Sequence, residues 1–229
     1  MIEIVLASRN KKKIAEMQTL LDAGLCGKVK ILSLDDIGFV GDIEEYGDSV
    51  ETNSLITASV PAKLGYIGIA DDSGLCVDAL GGEPGIYSAR YSADEGEFED
   101  TDAANRRKLL RRLDGKSDDE RAGGFVCVAS LVLPDGMEAK IPEKYLADEK
   151  NVAEAGVACG KAATVRGECR GTIMREEKGS GGFGYDSLFY STELGKSFAE
   201  ASGEEKNKVS HRGRAMREFV RVIADVVGE

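Results

Sequence analysis

With a single histidine, His211, the chain has little imidazole chemistry to offer. A His-based metal cluster is excluded, and a Ser-His-Asp triad would have only that one ring to draw on. Long apolar runs are missing as well. The longest, "FVCVASLVL" from Phe125 to Leu133, is far below the roughly 20 residues that a membrane helix needs, so no membrane partner is expected. The opening stretch "MIEIVLASRNKKK" has its lysines after the apolar run and lacks a small-residue cleavage pattern. It does not read as a signal peptide. There is no basic excess. The net charge of −11 argues against a general nucleic-acid coat. It does not argue against a phosphate ligand, because salt screens charges beyond roughly 8–10 Å. No CxxC occurs among the five cysteines at 26, 76, 127, 159 and 169. They read as reduced, buried thiols of a cytoplasmic protein.

What is present is an alternation of strand and helix patterns, which makes the class α/β. "IEIVLA", "VKILSL" and Tyr66–Ala70 read as strands. "KKKIAEMQTLLDAG" reads as a helix with Gly24 past its end. A loop from Glu44 feeds a second helix that ends near Pro61. "TDAANRRKLLRRLDG" is a helix with Thr101 or Asp102 as its N-cap. Later strands fall on "GGFVCVASLVLPDG", "ATVRGECRGTIM" (or a hairpin there) and "YDSLFY". The closing helix is capped by Ser210 and buries Ala215, Phe219, Val222, Ile223 and Val226. Met137–Lys161, charged and alanine-rich, reads as an added loop or short helix.

Four stretches carry chemistry. In "LASRNKKK" a strand gives way to a helix whose first turn holds Lys11, Lys12 and Lys13. That is the wrong sign for a helix N-terminus. A bound phosphate would resolve the conflict; a solvated lysine run is the plain alternative. No GxxxxGK[ST] is present, so this is not a P-loop. In "ADDSGL" two carboxylates end an apolar strand, and Glu44 and Glu45 add two more. Such hard oxygen donors suit Mg²⁺, which takes one or two carboxylates and completes its shell with phosphates and water; capping aspartates in a turn are the alternative. In "KGSGGFGYDSLF", Gly181 and Gly182 let the backbone pass close to a flat ligand. Phe183 offers a ring for stacking, unless it is a core aromatic beside a turn. In "KNKVSHRG", His211, Arg212 and Arg214 crowd a helix start, although a lone histidine is more often structural. Together these supply phosphate donors, metal carboxylates, a stacking ring and base-edge donors.

The chain resembles the inosine/xanthosine triphosphate pyrophosphatases, enzymes that remove deaminated purine nucleotides. The resemblance is carried by "ASRNKKK", "EEYGDSVETN", "ADDSGLCVDALGGEPGIYSARYS", "GGFGYDSLF" and "EEKNKVSHRGRAM", in that order along the chain. It implies an elongated mixed sheet with flanking helices, forming two lobes around a central cleft within one domain spanning 1–229. It implies a homodimer, dependence on Mg²⁺, and hydrolysis of ITP, dITP and XTP to the monophosphate and pyrophosphate. The phosphate loop falls on Ser8, Arg9, Asn10, Lys11, Lys12 and Lys13. The metal-binding acid falls on Glu44 or Glu45. The general base, which also touches the metal, falls on Asp72, with Asp71 and Ser73 beside it. The purine-binding stretch falls on Phe183, Gly184, Tyr185 and Asp186, and the last substrate contacts on Lys206, His211 and Arg212. Many relatives carry a lysine where Thr57 stands here, with Lys63 one candidate to replace it. Met137–Lys161 exceeds the corresponding loop in relatives, and Ser187 stands where proline is usual. A Maf-like pyrophosphatase acting on other nucleotides and a non-catalytic nucleotide-binding protein are the competing readings.

Overall fold

The computed structural model describes residues 1–25 and 27–227. Thirteen strands and helices follow in chain order: β1 (Ile2–Leu6), α1 (Lys11–Leu25), β2 (Val29–Leu32), α2 (Val50–Lys63), β3 (Ile67–Val77), α3 (Thr101–Arg112), β4 (Ala122–Val132), α4 (Glu149–Glu154), β5 (Ala162–Ile173), β6 (Phe189–Ser191), β7 (Lys196–Ser197), α5 (Gly203–Val209) and α6 (His211–Val227). The strands form one seven-stranded sheet in the order β2-β1-β3-β4-β5-β6-β7. β1 runs parallel to both β2 and β3, while β5, β6 and β7 pair antiparallel in sequence. The sheet is therefore mixed, as expected. Among the described residues, no helix is long and apolar enough to cross a membrane.

The chain divides into two compact units. The first comprises 1–72, 128–165 and 215–229. Its sheet core is Ile4, Val5 and Leu6 of β1, with Met17 and Leu21 of α1 buried. Gly24 lies inside α1, not past its end: a Cβ there would meet Val220 Cγ1 at 2.9 Å, so glycine lets α1 and α6 approach closely.

Helix α2 starts where Ser49 accepts a hydrogen bond from the Thr52 N–H, a standard N-cap. Glu51 in its first turn and Lys63 in its last suit the helix dipole. Pro61 falls within the helix rather than ending it. Its missing N–H costs one bond in the last turn, where the helix is about to stop. Thr52, Asn53 and Ser54 are buried along with Leu55, Ile56 and Ala58, so α2 has no polar stripe. Gly68 of β3 makes room beneath it, since a Cβ there would lie 2.0 Å from the Ala58 carbonyl. The segment Met137–Lys161 contributes α4, whose Val152 and the following Ala155 pack into the same cluster as Leu55, Ile56 and Ala58.

The second unit comprises 73–127 and 166–214. Its core gathers Leu75, Val77, Leu109, Leu113, Phe125, Phe189 and Phe198. The Phe125 and Phe189 rings meet edge-on with centroids 4.8 Å apart, a geometry worth ~0.5–1.5 kcal/mol beyond area burial. Arg121 is buried, and its guanidinium donates to the carbonyls of Leu113, Ile173 and Met174. α3 is capped by Asp100, which accepts from the Ala103 N–H, and not by Thr101 or Asp102. β5 is one strand rather than a hairpin, and β6 is shorter than "YDSLFY". α5 escapes the sequence pattern because its seven residues are mostly charged; a capping box between Ser202 and Glu205 starts it. The Lys196 ammonium first, then the Ser202 N–H and hydroxyl, hold the Glu205 carboxyl down at about 2. Ser210 does cap α6, its Oγ accepting from the Gly213 N–H. Cys127 and Cys169 are buried and Cys76 half-buried, but Cys159 is exposed; Cys26 lies outside the described residues.

Candidate active site

In the first unit, the turn between β1 and α1 is built from short polar bonds. Ser8 Oγ accepts from the Asn10 N–H, and Asn10 Oδ1 accepts from the Lys13 N–H at 3.3 Å. Asn10 thus caps α1, whose first turn contains no acidic residue of its own. Lys11 is exposed; the Lys12 side chain lies outside the described residues. Lys13 Nζ sits 3.2 Å from both carboxylate oxygens of Asp71. Arg9, expected at the substrate, reaches to the loop that follows β2. It bonds Asp35 Oδ1 and the carbonyls of Phe39 and Gly41, and so braces that loop.

Asp71 and Asp72 do not end their strand, and Ser73 and Gly74 do not turn it. β3 continues to Val77. Successive side chains of a strand point to opposite faces, so the two carboxylates are not a facing pair. Asp71, its side chain only 4 % exposed, is engaged by Lys13. Asp72 and Ser73 are half-buried. Glu44 and Glu45 lie exposed in a segment without regular secondary structure. Just beyond them the chain is anchored, because the Gly47 N–H donates to Asn53 Oδ1 at 2.8 Å. Asp48 is tied in turn by its N–H to Glu154 of α4, and Thr52 Oγ1 lies 3.1 Å from Asn151 Oδ1. Segment Met137–Lys161 therefore props the start of α2 behind the acidic doublet.

Thr57 Oγ1 is buried and has no hydrogen-bond partner among the described residues. Lys63 stands at the far end of α2, where it lines a cavity of about 150 Å³ with Asp135 and Lys161.

Among the described residues, no group of three or more His, Cys, Asp or Glu side chains is placed to hold a metal ion. The donors on hand, Glu44, Glu45 and Asp72, are all carboxylates. This chemistry fits Mg²⁺, which needs only one or two protein carboxylates when phosphates and water fill its other positions.

In the second unit, the glycine-rich stretch runs along a cavity of about 280 Å³ also lined by Asp100, Asp102, Arg106 and Glu177. Phe183 is 75 % exposed. It is held between Gly182 at φ +74° and Gly184 at φ +58°, a conformation that glycine adopts without steric cost. Asp186 is buried; its Oδ2 accepts from the Phe183 N–H at 2.9 Å and pairs with Lys206 Nζ. The Lys206 ammonium lies 4.8 Å from the Phe183 ring centroid and 5.3 Å from that of Phe198. Tyr185 belongs to the core, its hydroxyl donating to the Ser88 carbonyl. Burial pushes that hydroxyl well above the ordinary tyrosine value. His211 stacks on Phe125 with centroids 4.8 Å apart, and Arg212 beside it is half-buried. Phe183, Gly184, Asp186 and Lys206 are thus brought together. Asp102 and Arg106, which hold Gly184, are additions that the sequence reading missed. Their only signal is their spacing of one helical turn.

A sequence profile described as the Ham1 family matches residues 4–222. A dITP/XTP pyrophosphatase of Geobacter sulfurreducens is 41 % identical over 217 residues, 94 % of each chain. One from Streptomyces avermitilis is 38 % identical over 230 residues and covers 100 % of both. Among solved structures, a HAM1 protein from Coxiella burnetii superposes with a TM-score of 0.79 at 34 % identity, covering 99 % of this chain and 100 % of that one. A nucleoside-triphosphatase / dITP/XTP pyrophosphatase from Mycobacterium abscessus gives 0.73 at 36 % identity over 95 % and 98 %.

Proposed function

The chain belongs to the Ham1 family, and on that footing we propose that it hydrolyses deaminated purine nucleoside triphosphates (ITP, dITP and XTP) to the monophosphate and pyrophosphate. The observation that carries this reading is end-to-end likeness: relatives named dITP/XTP pyrophosphatase match 94 % and 100 % of the chain. A cytoplasmic homodimer is part of the same proposal.

The roles follow from the chemistry of each side chain. Ser8, Asn10, Lys11, Lys12, Lys13 and the N-terminal end of α1 bind the phosphates, because a helix N-terminus and ammonium groups both favour anions. Glu44, Glu45 and Asp72 would hold Mg²⁺. When bound, the ion neutralises charge on the phosphate oxygens. The Asp72 carboxylate orients a water and takes its proton as the oxygen attacks the α-phosphorus in line. Pyrophosphate leaves toward the lysines. Phe183 stacks on the purine, a contact that tolerates any base. Donors on His211 and Arg212 pair with the 6-keto oxygen that hypoxanthine and xanthine carry and adenine lacks. A polar site of this kind rejects a mismatched group strongly.

Pyrophosphate release from ITP, XTP, GTP and ATP tests the proposal. ITP and XTP should be turned over far faster than ATP. Asp72→Asn should lose ~10²–10⁴ in rate. Equal turnover of all four nucleotides, or an Asp72→Asn variant near wild type, would overturn it.

A further inference from the structure

The loop that presents Phe183 is rich in glycine: Gly179, Gly181, Gly182 and Gly184 flank the ring-bearing residue in the sequence, and glycine gives the chain its widest freedom. Backbone bonds such as Gly181 N–H to the Ala199 carbonyl hold its start. Past the ring, the holding groups come from α3. Asp102 and Arg106 lie one turn apart, so they share a helix face. Asp102 Oδ2 accepts from the Gly184 N–H at 2.8 Å, and Arg106 Nη1 donates to the Gly184 carbonyl at 2.9 Å. Both backbone polar groups of the residue that follows Phe183 are therefore clamped by one helix. Arg106 is itself steadied: its side chain is 17 % exposed, and its Nε lies 2.9 Å from Glu177 Oε2 at the root of the same loop. The Phe183 N–H is taken by Asp186, so the ring-bearing residue is pinned on both sides.

We propose that Asp102 and Arg106 are positioning residues for base recognition, setting where the Phe183 ring stands before substrate arrives. The inference rests on the reading of Phe183 as the stacking ring. A clamped loop is ordered in advance; an unclamped one must be ordered by the nucleotide, and that cost is taken from binding. The loss belongs to binding and not to the chemical step, so it enters KM and leaves kcat nearly unchanged.

The experiment measures kcat and KM for ITP in wild type, Arg106→Ala, Phe183→Ala and the double variant. Amide hydrogen exchange across residues 182–185 is followed in wild type and Arg106→Ala. Arg106→Ala should raise KM about tenfold, within the range that base stacking commands, with kcat within about twofold of wild type. In the Phe183→Ala background the same change should move KM less than about twofold, because the two residues act through one ring. Exchange at 182–185 should quicken in Arg106→Ala. Asp102→Ala should behave like Arg106→Ala. Asp102→Asn, whose Oδ1 can still accept from Gly184, should recover most of the loss. This exposed pair carries the comparison even if Arg106→Ala fails to fold. Independent, multiplying effects in the double variant, or unchanged exchange at 182–185, would overturn the proposal. If Phe183→Ala alone leaves KM unchanged for every purine triphosphate, the stacking role is what fails, and the exchange data still decide whether α3 holds the loop.

Discussion

Replacing Lys206 with methionine removes the cation from a carboxylate with almost no access to water. The Asp186 side chain is 4 % exposed and that of Lys206 17 %. Methionine keeps the length and can pack on the Phe183 and Phe198 rings that now face the ammonium, so the change isolates the charge. Taking one partner from a buried pair costs ~3–5 kcal/mol, because the other charge is left uncompensated. For a chain of this size, each kcal/mol lowers the thermal midpoint by about 2–4 °C, so the expected fall is about 6–20 °C. Asp186→Asn is the milder partner. Its amide oxygen can still accept from the Phe183 N–H, and the stranded ammonium keeps two rings and some solvent. Cation–π contact of ~0.5–2 kcal/mol offsets part of the loss, leaving a cost of about 1–2 kcal/mol. Thermal or urea unfolding of the two variants reads this asymmetry directly. If Lys206→Met is less damaging than Asp186→Asn, the pair does not behave as a buried one.

Thr57→Val should stabilise the protein, because it removes a buried hydroxyl without a partner at nearly constant shape. A rise of about 2–4 °C in thermal midpoint is expected, and an equal fall would show that the hydroxyl is satisfied. The Glu205 carboxyl, held at about 2 against an ordinary 4.5, adds stability that is present above pH 4.5 and lost as pH falls toward 2. The stability gap between wild type and Glu205→Gln should therefore shrink on acidification from about pH 7 to about pH 2.5; a constant gap would contradict the assignment.

How far the sequence could be read depended on how local each feature is. Strands β1 and β2 and helices α1 and α6 were legible because their apolar spacing matches their period. α2 was read to end near Pro61, close to its last residue Lys63, but its start was left open because Thr52, Asn53 and Ser54 are buried, so its polarity tracks the interior bonds it makes and not a solvent face. β3 was cut short at Asp71 because two carboxylates look like a turn, whereas sheet pairing overrides that local preference. The site motifs were visible as short words. Their partners were not, since Asp102 and Gly184 are 82 positions apart and Arg9 and Asp35 are 26 apart. Nothing in either neighbourhood announces the other.

Segment Met137–Lys161 acts as a roof whose two faces are under different constraints. Val152 and Ala155 are 4 % and 1 % exposed over α2, while Asn151 and Glu154 engage Thr52 and Asp48. Closing a loop costs entropy that grows only with the logarithm of its length, so the length of this connection costs little in itself. Trimming it to a short link would uncover α2 and open Leu55 and Ile56 to water. The outer face of the roof is free to change; the inner face is part of the core.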